Sequence, residues 1–322
     1  MRADRYINSD MRSVLSLFLS MAIISIMGVF SRNLFVYMST PQQVFFRILA
    51  ACLILYLVSH RKIDLKKSLH APIKEHAIMF TRALSIYVLA IICGTLAYTK
   101  GKYGNIGCVM SLPVAGIMGI LFFKERPGKI QIVATLIFVT GLFIIASKNT
   151  ASLFTWDLAY YYAILCNILL SFGLIAHKWN KALNNFETTF MMMLYGSLQL
   201  FLCVIITDGF HGVRICSFAV FLILCGGVCN ILLLLFSNYG IKSASGTMMG
   251  IAFSTQPIFS MIYGYFFFSE LPSTRELLGA YLIIVCLCIV GRNSGPSKER
   301  LPETTGSEAL PIFEKPKLEA EQ

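Results

Sequence analysis

Charge is scarce in this chain. Of its 322 residues only 13% are Asp, Glu, Lys or Arg and 57% are hydrophobic, whereas soluble domains carry roughly 25% charged residues. Together with a mean hydropathy of +0.72, this excludes an ordinary water-soluble fold and places the chain in a lipid bilayer. Acid is scarcer than base, with 16 Asp and Glu against 27 Lys and Arg. No carboxylate lies well inside an apolar run: Glu125 and Glu270 sit at run ends, and Asp157, Glu187 and Asp208 at borders. A proton relay through a buried Asp or Glu therefore has no residue to use.

Signatures of catalysis are also missing. There is no G-x-x-x-x-G-K-[ST] phosphate loop, which excludes a primary pump. Without H-E-x-x-H, G-x-S-x-G or paired intramembrane acids, an enzyme working within the membrane lacks its nucleophile or metal. The ten cysteines fall within or at the ends of apolar runs, outside any zinc-ligand or extracellular disulfide context, and read as small packing residues. No cofactor or metal is implied. The apolar run 14–30 is followed by S-R-N-L-F rather than a small-residue cleavage site, so it reads as a first membrane span and not as a signal peptide.

What is present is a succession of apolar runs. Ten reach the roughly 20 residues that a spanning helix needs: 12–30, 41–59, 77–98, 103–123, 128–147, 157–176, 187–207, 216–238, 244–268 and 274–291. The tail from 293 to 322, rich in Pro, Glu and Ser, is expected to be disordered. The net charge of +11 resides in short breaks between spans, where it reports orientation rather than a nucleic-acid partner. With the N-terminus inside, inner segments hold seventeen Lys and Arg and outer breaks six. Both termini are therefore expected in the cytoplasm.

One motif is written twice. An apolar run holding Pro113 meets the corner K-E-R-P at 124–127 and a second apolar run follows; the plan returns with Pro257 and the corner S-E-L-P at 269–272. The echo is displaced by about 145 residues, which implies one unit duplicated. Five spans per unit is an odd number, so the copies enter the membrane in opposite senses. The charges agree, the first corner being basic and the second not. The expected fold is an all-α membrane protein of ten transmembrane helices arranged as two inverted five-helix repeats, 1–150 and 151–292. Inverted repeats are a recurring transporter plan, with the substrate held near the midplane between them.

Three stretches carry a family resemblance: T-P-Q-Q-V-F-F-R-I-L-A-A opening span two, the hairpin from Pro113 to Gly141 with its K-E-R-P corner, and F-F-F-S-E-L-P-S-T-R-E-L-L-G-A-Y-L-I-I near the C-terminus. In these the chain resembles the drug/metabolite transporter superfamily, in its ten-span EamA-type form. F-T-R-A-L at 80–84 and the F-S-E-L-P corner further resemble the branch containing bacterial S-adenosylmethionine uptake carriers. The resemblance implies a multi-pass protein of the bacterial inner membrane whose partners are the bilayer and a small-molecule substrate. Nothing in the sequence specifies an oligomeric state.

Residues that could line a pathway are those costly to embed in lipid. Arg47 lies about two turns into span two. Arg82 lies a turn or more into span three, where it can either snorkel to the headgroups or face a cavity. Arg47 has no cationic counterpart in the second copy, where the matching stretch is F-E-T-T-F-M-M-M-L. Such a cationic interior without acids suits a substrate bringing its own carboxylate or phosphate. The embedded amides Asn105, Asn167, Asn230 and Gln256 must find partners; the resemblance places their spans around the central cavity. Pro113 and Pro257 interrupt mid-span hydrogen bonding, either for packing or to expose carbonyls to a pathway. Tyr98 and Tyr263 are candidates to stack on an aromatic or cationic group. The sequence thus points to a secondary carrier for a carboxylate-bearing metabolite, S-adenosylmethionine leading. Efflux of amino acids, nucleoside-like metabolites or drugs is the alternative, and a non-transporting membrane assembly protein the rival of another class.

Overall fold

The computed structural model describes residues 2–112, 114–123, 132–133, 136–137, 139–141, 144, 157–207, 209–243 and 255–293, and the regular elements among them are all helical. Twelve helices are referred to below: α1 Arg2–Leu34, α2 Thr40–Ser59, α3 Leu65–Leu69, α4 Ile73–Ala83, α5 Ile91–Lys100, α6 Tyr103–Met110, α7 Val114–Phe123, α8 Leu158–Ile175, α9 Asn185–Ile206, α10 Ser217–Ser243, α11 Gln256–Phe268 and α12 Thr274–Asn293. Among the described residues, six stretches are long and apolar enough to cross a membrane: Leu15–Leu34, Thr40–Lys62, Ile73–Lys100, Leu158–Trp179, Asn185–Ile206 and Ser217–Ile241. They coincide with the expected spans one, two, three, six, seven and eight. Large apolar residues point outward from them, among them Leu57, Val58 and Ile206, as a lipid-facing surface requires.

Expected span four is divided into α6 and α7. Pro113 between them, the first corner at 124–127, much of span five, the first part of span nine and the tail beyond 293 lie outside the described residues. Pro257 stands in the first turn of α11, where its missing N–H costs no helical hydrogen bond.

Two features set the register of the two copies. Helix α2 starts at N-cap Ser39, whose backbone N–H donates to Gln42 Oε1 at 2.9 Å. Helix α9 starts at N-cap Asn184, whose N–H donates to Glu187 Oε2 at 2.8 Å while its own Oδ1 accepts from Glu187 N at 2.8 Å. The two bonds at Asn184 are the reciprocal bonds of a capping box, of which Ser39 makes the backbone half alone, its hydroxyl having no partner among the described residues; the two caps fall 145 residues apart, the displacement of the duplicated corners.

The copies interleave rather than stand side by side. The most extensive packing pairs all join the first half to the second: α1 with α10, α2 with α10 and α9, α6 with α11, and α5 with α8. Small residues permit this closeness. A Cβ built on Gly227 of α10 would meet the Ala51 backbone nitrogen of α2 at 3.1 Å, so the two backbones pass almost in contact, as small residues allow in membrane helices.

Between α4 and α5 the helix widens into a π-helical segment, Leu84–Ala90. Wide turns of this kind are uncommon and gather at functional sites.

Candidate functional site

The π-helical segment faces a central cavity of about 70 Å3, walled by α1, α2, α5, α6, α8 and α10. Its wall is mostly apolar, including Ile24, Met27, Met110 and Leu170, with a few polar groups: Ser31, Arg47, Tyr87, Thr95, Tyr98, Asn167 and Asn230. That composition, apolar with sparse polar anchors, is typical of small-molecule sites.

Among the described residues, Arg47 is the only charged one lining it. The side chain is 1% exposed and its bonds are long: Nε donates to the Gln43 carbonyl at 3.4 Å and Nη1 to Ser31 Oγ at 3.4 Å. Nη2 is buried with no hydrogen-bond partner among the described residues. Glycine makes room for the arginine, since a Cβ on Gly226 would lie 2.8 Å from its Cδ. One turn on, Asn230 donates Nδ2 to the Gly226 carbonyl at 2.9 Å, and its Oδ1 has no partner among the described residues. Among the described residues, the cavity therefore presents Arg47 Nη2 as a strong donor, Asn230 Oδ1 as an acceptor and the hydroxyls of Tyr87 and Tyr98, all without a partner.

Of the sequence-derived candidates, Arg47, Tyr98, Asn167 and Asn230 meet at this cavity. Asn167 donates to the Leu112 carbonyl at 2.9 Å and accepts from Ser171 at 3.2 Å, so it is held in place by the helices it joins. Gln256 is buried beside Met110 and accepts a bond from Ser25 through its carbonyl. Pro257 is buried. Tyr263 packs into the cluster around Tyr98 and Tyr103. Asn105 lies 3.4 Å from the Tyr160 hydroxyl and lines a smaller cavity of about 10 Å3 with Lys102, Glu270 and Glu276. None of these last four lines the main cavity.

Arg82 neither snorkels nor faces the cavity. Fully buried, it donates to the Gly173 carbonyl at 2.8 Å, His177 Nδ1 at 3.0 Å, Asn180 Oδ1 at 2.9 Å and Asn238 Oδ1 at 3.0 Å. Nearby Glu75 accepts from Asn180 Nδ2 at 2.8 Å and from Lys181 N at 2.9 Å, and Lys67 pairs with Glu187 at 3.2 Å. This network ties the first copy to the second at one end of the molecule.

A matching tie closes the other end, and sequence reasoning treated its arginine only as a loop charge. Arg32 pairs with Glu270 at 2.6 Å, donates to the Tyr98 carbonyl at 2.5 Å and to the Gly101 carbonyl, and lies over the Phe268 ring at 4.5 Å. Glu270 also accepts from Tyr103 N at 2.7 Å, and Lys102 pairs with Glu276 at 2.5 Å. Tyr87, Ser31 and Thr95 were likewise overlooked. Tyr87 carries the clearest signal, being a tyrosine at mid-span, away from the interfacial belts where tyrosines gather.

A cavity at the meeting of interleaved repeats, with polar ties across both ends, is what a carrier requires. The comparisons with known proteins agree. No curated protein matches the chain. A crystal structure described only as that of a protein superposes with a TM-score of 0.66 at 11% identity, covering 89% of this chain and 99% of its own, which speaks for the fold alone. The EamA-like transporter family matches twice, at residues 11–147 and 157–292. The chain thus belongs to the EamA-like transporter family, and is a multi-pass membrane transporter of small molecules.

Proposed function

We propose that this transporter is a ten-span secondary carrier of a small carboxylate-bearing metabolite, with S-adenosylmethionine or a related amino-acid derivative as the leading substrate. The spans form two five-helix repeats related by a half-turn about an axis in the membrane plane, both termini lie in the cytoplasm of a bacterial cell, and access alternates by rocking of the repeats. The observation that carries the substrate class is Arg47 Nη2, buried in the cavity wall without a partner. A buried guanidinium nitrogen left unbonded is costly, and a substrate carboxylate would satisfy it through a charge-assisted bond. Asn230 Oδ1 supports the same reading, as an acceptor for the ammonium of an amino-acid head. Tyr87 and Tyr98 supply flat faces for an adenine ring or a sulfonium.

Uptake of a radiolabelled metabolite panel by cells expressing the protein, repeated with Arg47→Lys and Arg47→Ala, tests the proposal. Carboxylate-bearing compounds enter in the expected result, and both variants lose uptake at equal surface expression. Absence of any carboxylate-bearing substrate would sink the class; unchanged uptake in both variants would sink the role of Arg47.

A further inference from the structure

Two adjacent glutamines in the first turn of α2 are equally buried, Gln42 at 1% and Gln43 at 0% exposure, yet they differ completely in what they bond. Gln42 uses both ends of its amide. Its Oε1 accepts from the Ser39 backbone N–H at 2.9 Å, and its Nε2 donates to the Gly209 and His211 carbonyls at 2.9 and 3.0 Å. Gln43 uses neither end, since Nε2 and Oε1 both lack a hydrogen-bond partner among the described residues. Buried amides nearly always find partners, and one left unpaired destabilises the fold that holds it.

Gln43 belongs to a row. Residues four apart lie on one face of a helix, and Ser39, Gln43 and Arg47 follow one another at that spacing. Gln43 N donates to the Ser39 carbonyl at 3.0 Å, and Arg47 Nε to the Gln43 carbonyl at 3.4 Å. All three carry buried polar atoms without a partner among the described residues: Ser39 Oγ, both amide atoms of Gln43, and Arg47 Nη2. The ends of the row open onto different spaces. Arg47 lines the main cavity, whereas Ser39 lines an open groove at the Arg32 end, walled by the turn between α1 and α2, by Ile92 and Leu96 of α5, and by the loop holding Arg214. Gln43 lines neither space and fills the single turn between them. The second copy does not repeat the arrangement. At the displacement of 145 residues the counterparts are Asn184, Thr188 and Met192; none of them lines the main cavity, and the third is apolar.

We infer that Ser39, Gln43 and Arg47 are the polar wall of the route by which solute passes between the groove and the main cavity, and that the Gln43 amide contacts the solute in transit. The route is closed in this structure. When α2 parts from its neighbours, the amide offers one donor group and one acceptor between the hydroxyl of Ser39 and the guanidinium of Arg47. An amide suits a passing contact, because it bonds anionic and cationic groups alike without the strength of an ion pair that would hold either in place. The route stands whatever the cargo is, since the carboxylate reading bears on Arg47 alone.

Cysteine accessibility in the full-length protein tests this without knowledge of the substrate. In a cysteine-free variant, single cysteines replace Gln43, the equally buried Val44 and Ile48 of the same helix, and the exposed Arg214 on the groove loop. A membrane-impermeant methanethiosulfonate is applied to membrane vesicles of each orientation. From the side that labels Arg214→Cys, Gln43→Cys is expected to react at least about tenfold faster than Val44→Cys or Ile48→Cys, because a site on a route needs less opening than the core beside it. A smaller margin, or labelling of Gln43→Cys from the opposite side only, overturns the inference. Thermal unfolding of Gln43→Leu gives a second readout. Leucine is close to glutamine in size and removes the orphaned amide, so the unfolding temperature is expected to hold or rise. A fall would show that the amide serves the fold and overturns the inference; should Gln43→Cys not fold, the leucine variant decides.

Discussion

Gly226 and Arg47 are so close that a methyl group on the glycine would lie 2.8 Å from the arginine Cδ. The guanidinium keeps its place because α10 has no side chain there. Gly226→Val is therefore expected to displace Arg47 and, through loss of a charged hydrogen bond worth roughly 1.5–3 kcal/mol, to weaken substrate binding by about 10- to 100-fold. Binding of a labelled substrate to purified protein measures this. Normal binding by the valine variant would mean that Arg47 is not needed where it stands.

Arg32 and Glu270 join the copies through a pair that is about one-fifth exposed, at 18% and 21%. Arg32→Gln and Glu270→Gln should each lower the midpoint of thermal unfolding, Arg32→Gln more because it also gives up the bonds to the Tyr98 and Gly101 carbonyls, and the double variant should lose less than the sum of the two, because both remove the same ion pair. Additive losses in this cycle would show that the two side chains act separately.

Arg82 holds acceptors from α8, from the 176–180 turn and from α10 at once. Arg82→Ala orphans them, at about 1–3 kcal/mol for each buried group left unpaired, and should give a protein that does not survive extraction in detergent. Arg82→Lys, with one nitrogen in place of the fork, is expected to fold with a reduced unfolding temperature. An alanine variant as stable as wild type would remove the network from any account of how the copies are held.

Orientation has its own test. Single cysteines placed in the basic stretch 60–76 of a cysteine-free variant should resist an impermeant thiol reagent added outside intact cells and react after permeabilisation. Labelling from outside would reverse the assignment of the termini.

The cap of α9 offers a smaller, cleaner measurement. Asn184→Ala removes the acceptor for Glu187 N and is expected to cost about 1 kcal/mol, while Asn184→Ser should recover most of it. No change in unfolding temperature would indicate that the helix start is held by packing alone.

The architecture was legible where it is repetitive. Apolar run length located the six long spans, and the duplicated corner announced the double family match. Arg47 was legible because a lone arginine among apolar residues has few explanations. Arg82 was visible as an oddity, but its role was not, since its partners lie 91 to 156 positions away in sequence. Arg32 and His177 looked like residues at the ends of runs. Pro257 was read as an interruption within a helix because sequence shows that a proline is present without showing where the helix around it begins.

The π-helical segment has a geometric consequence for the cavity. An ordinary α-helix advances about 100° per residue, so positions four apart drift by about 40° each time, and Ile86 and Tyr98 would stand about 120° apart around its axis. Yet Ile86, Ala90, Gly94 and Tyr98 all face the same cavity. The wider turn across Leu84–Ala90 takes up about one residue's rotation and straightens what would otherwise be a spiral stripe into a longitudinal one. Removing a single residue there would leave composition and hydropathy almost untouched while turning Thr95 and Tyr98 away from the space they line.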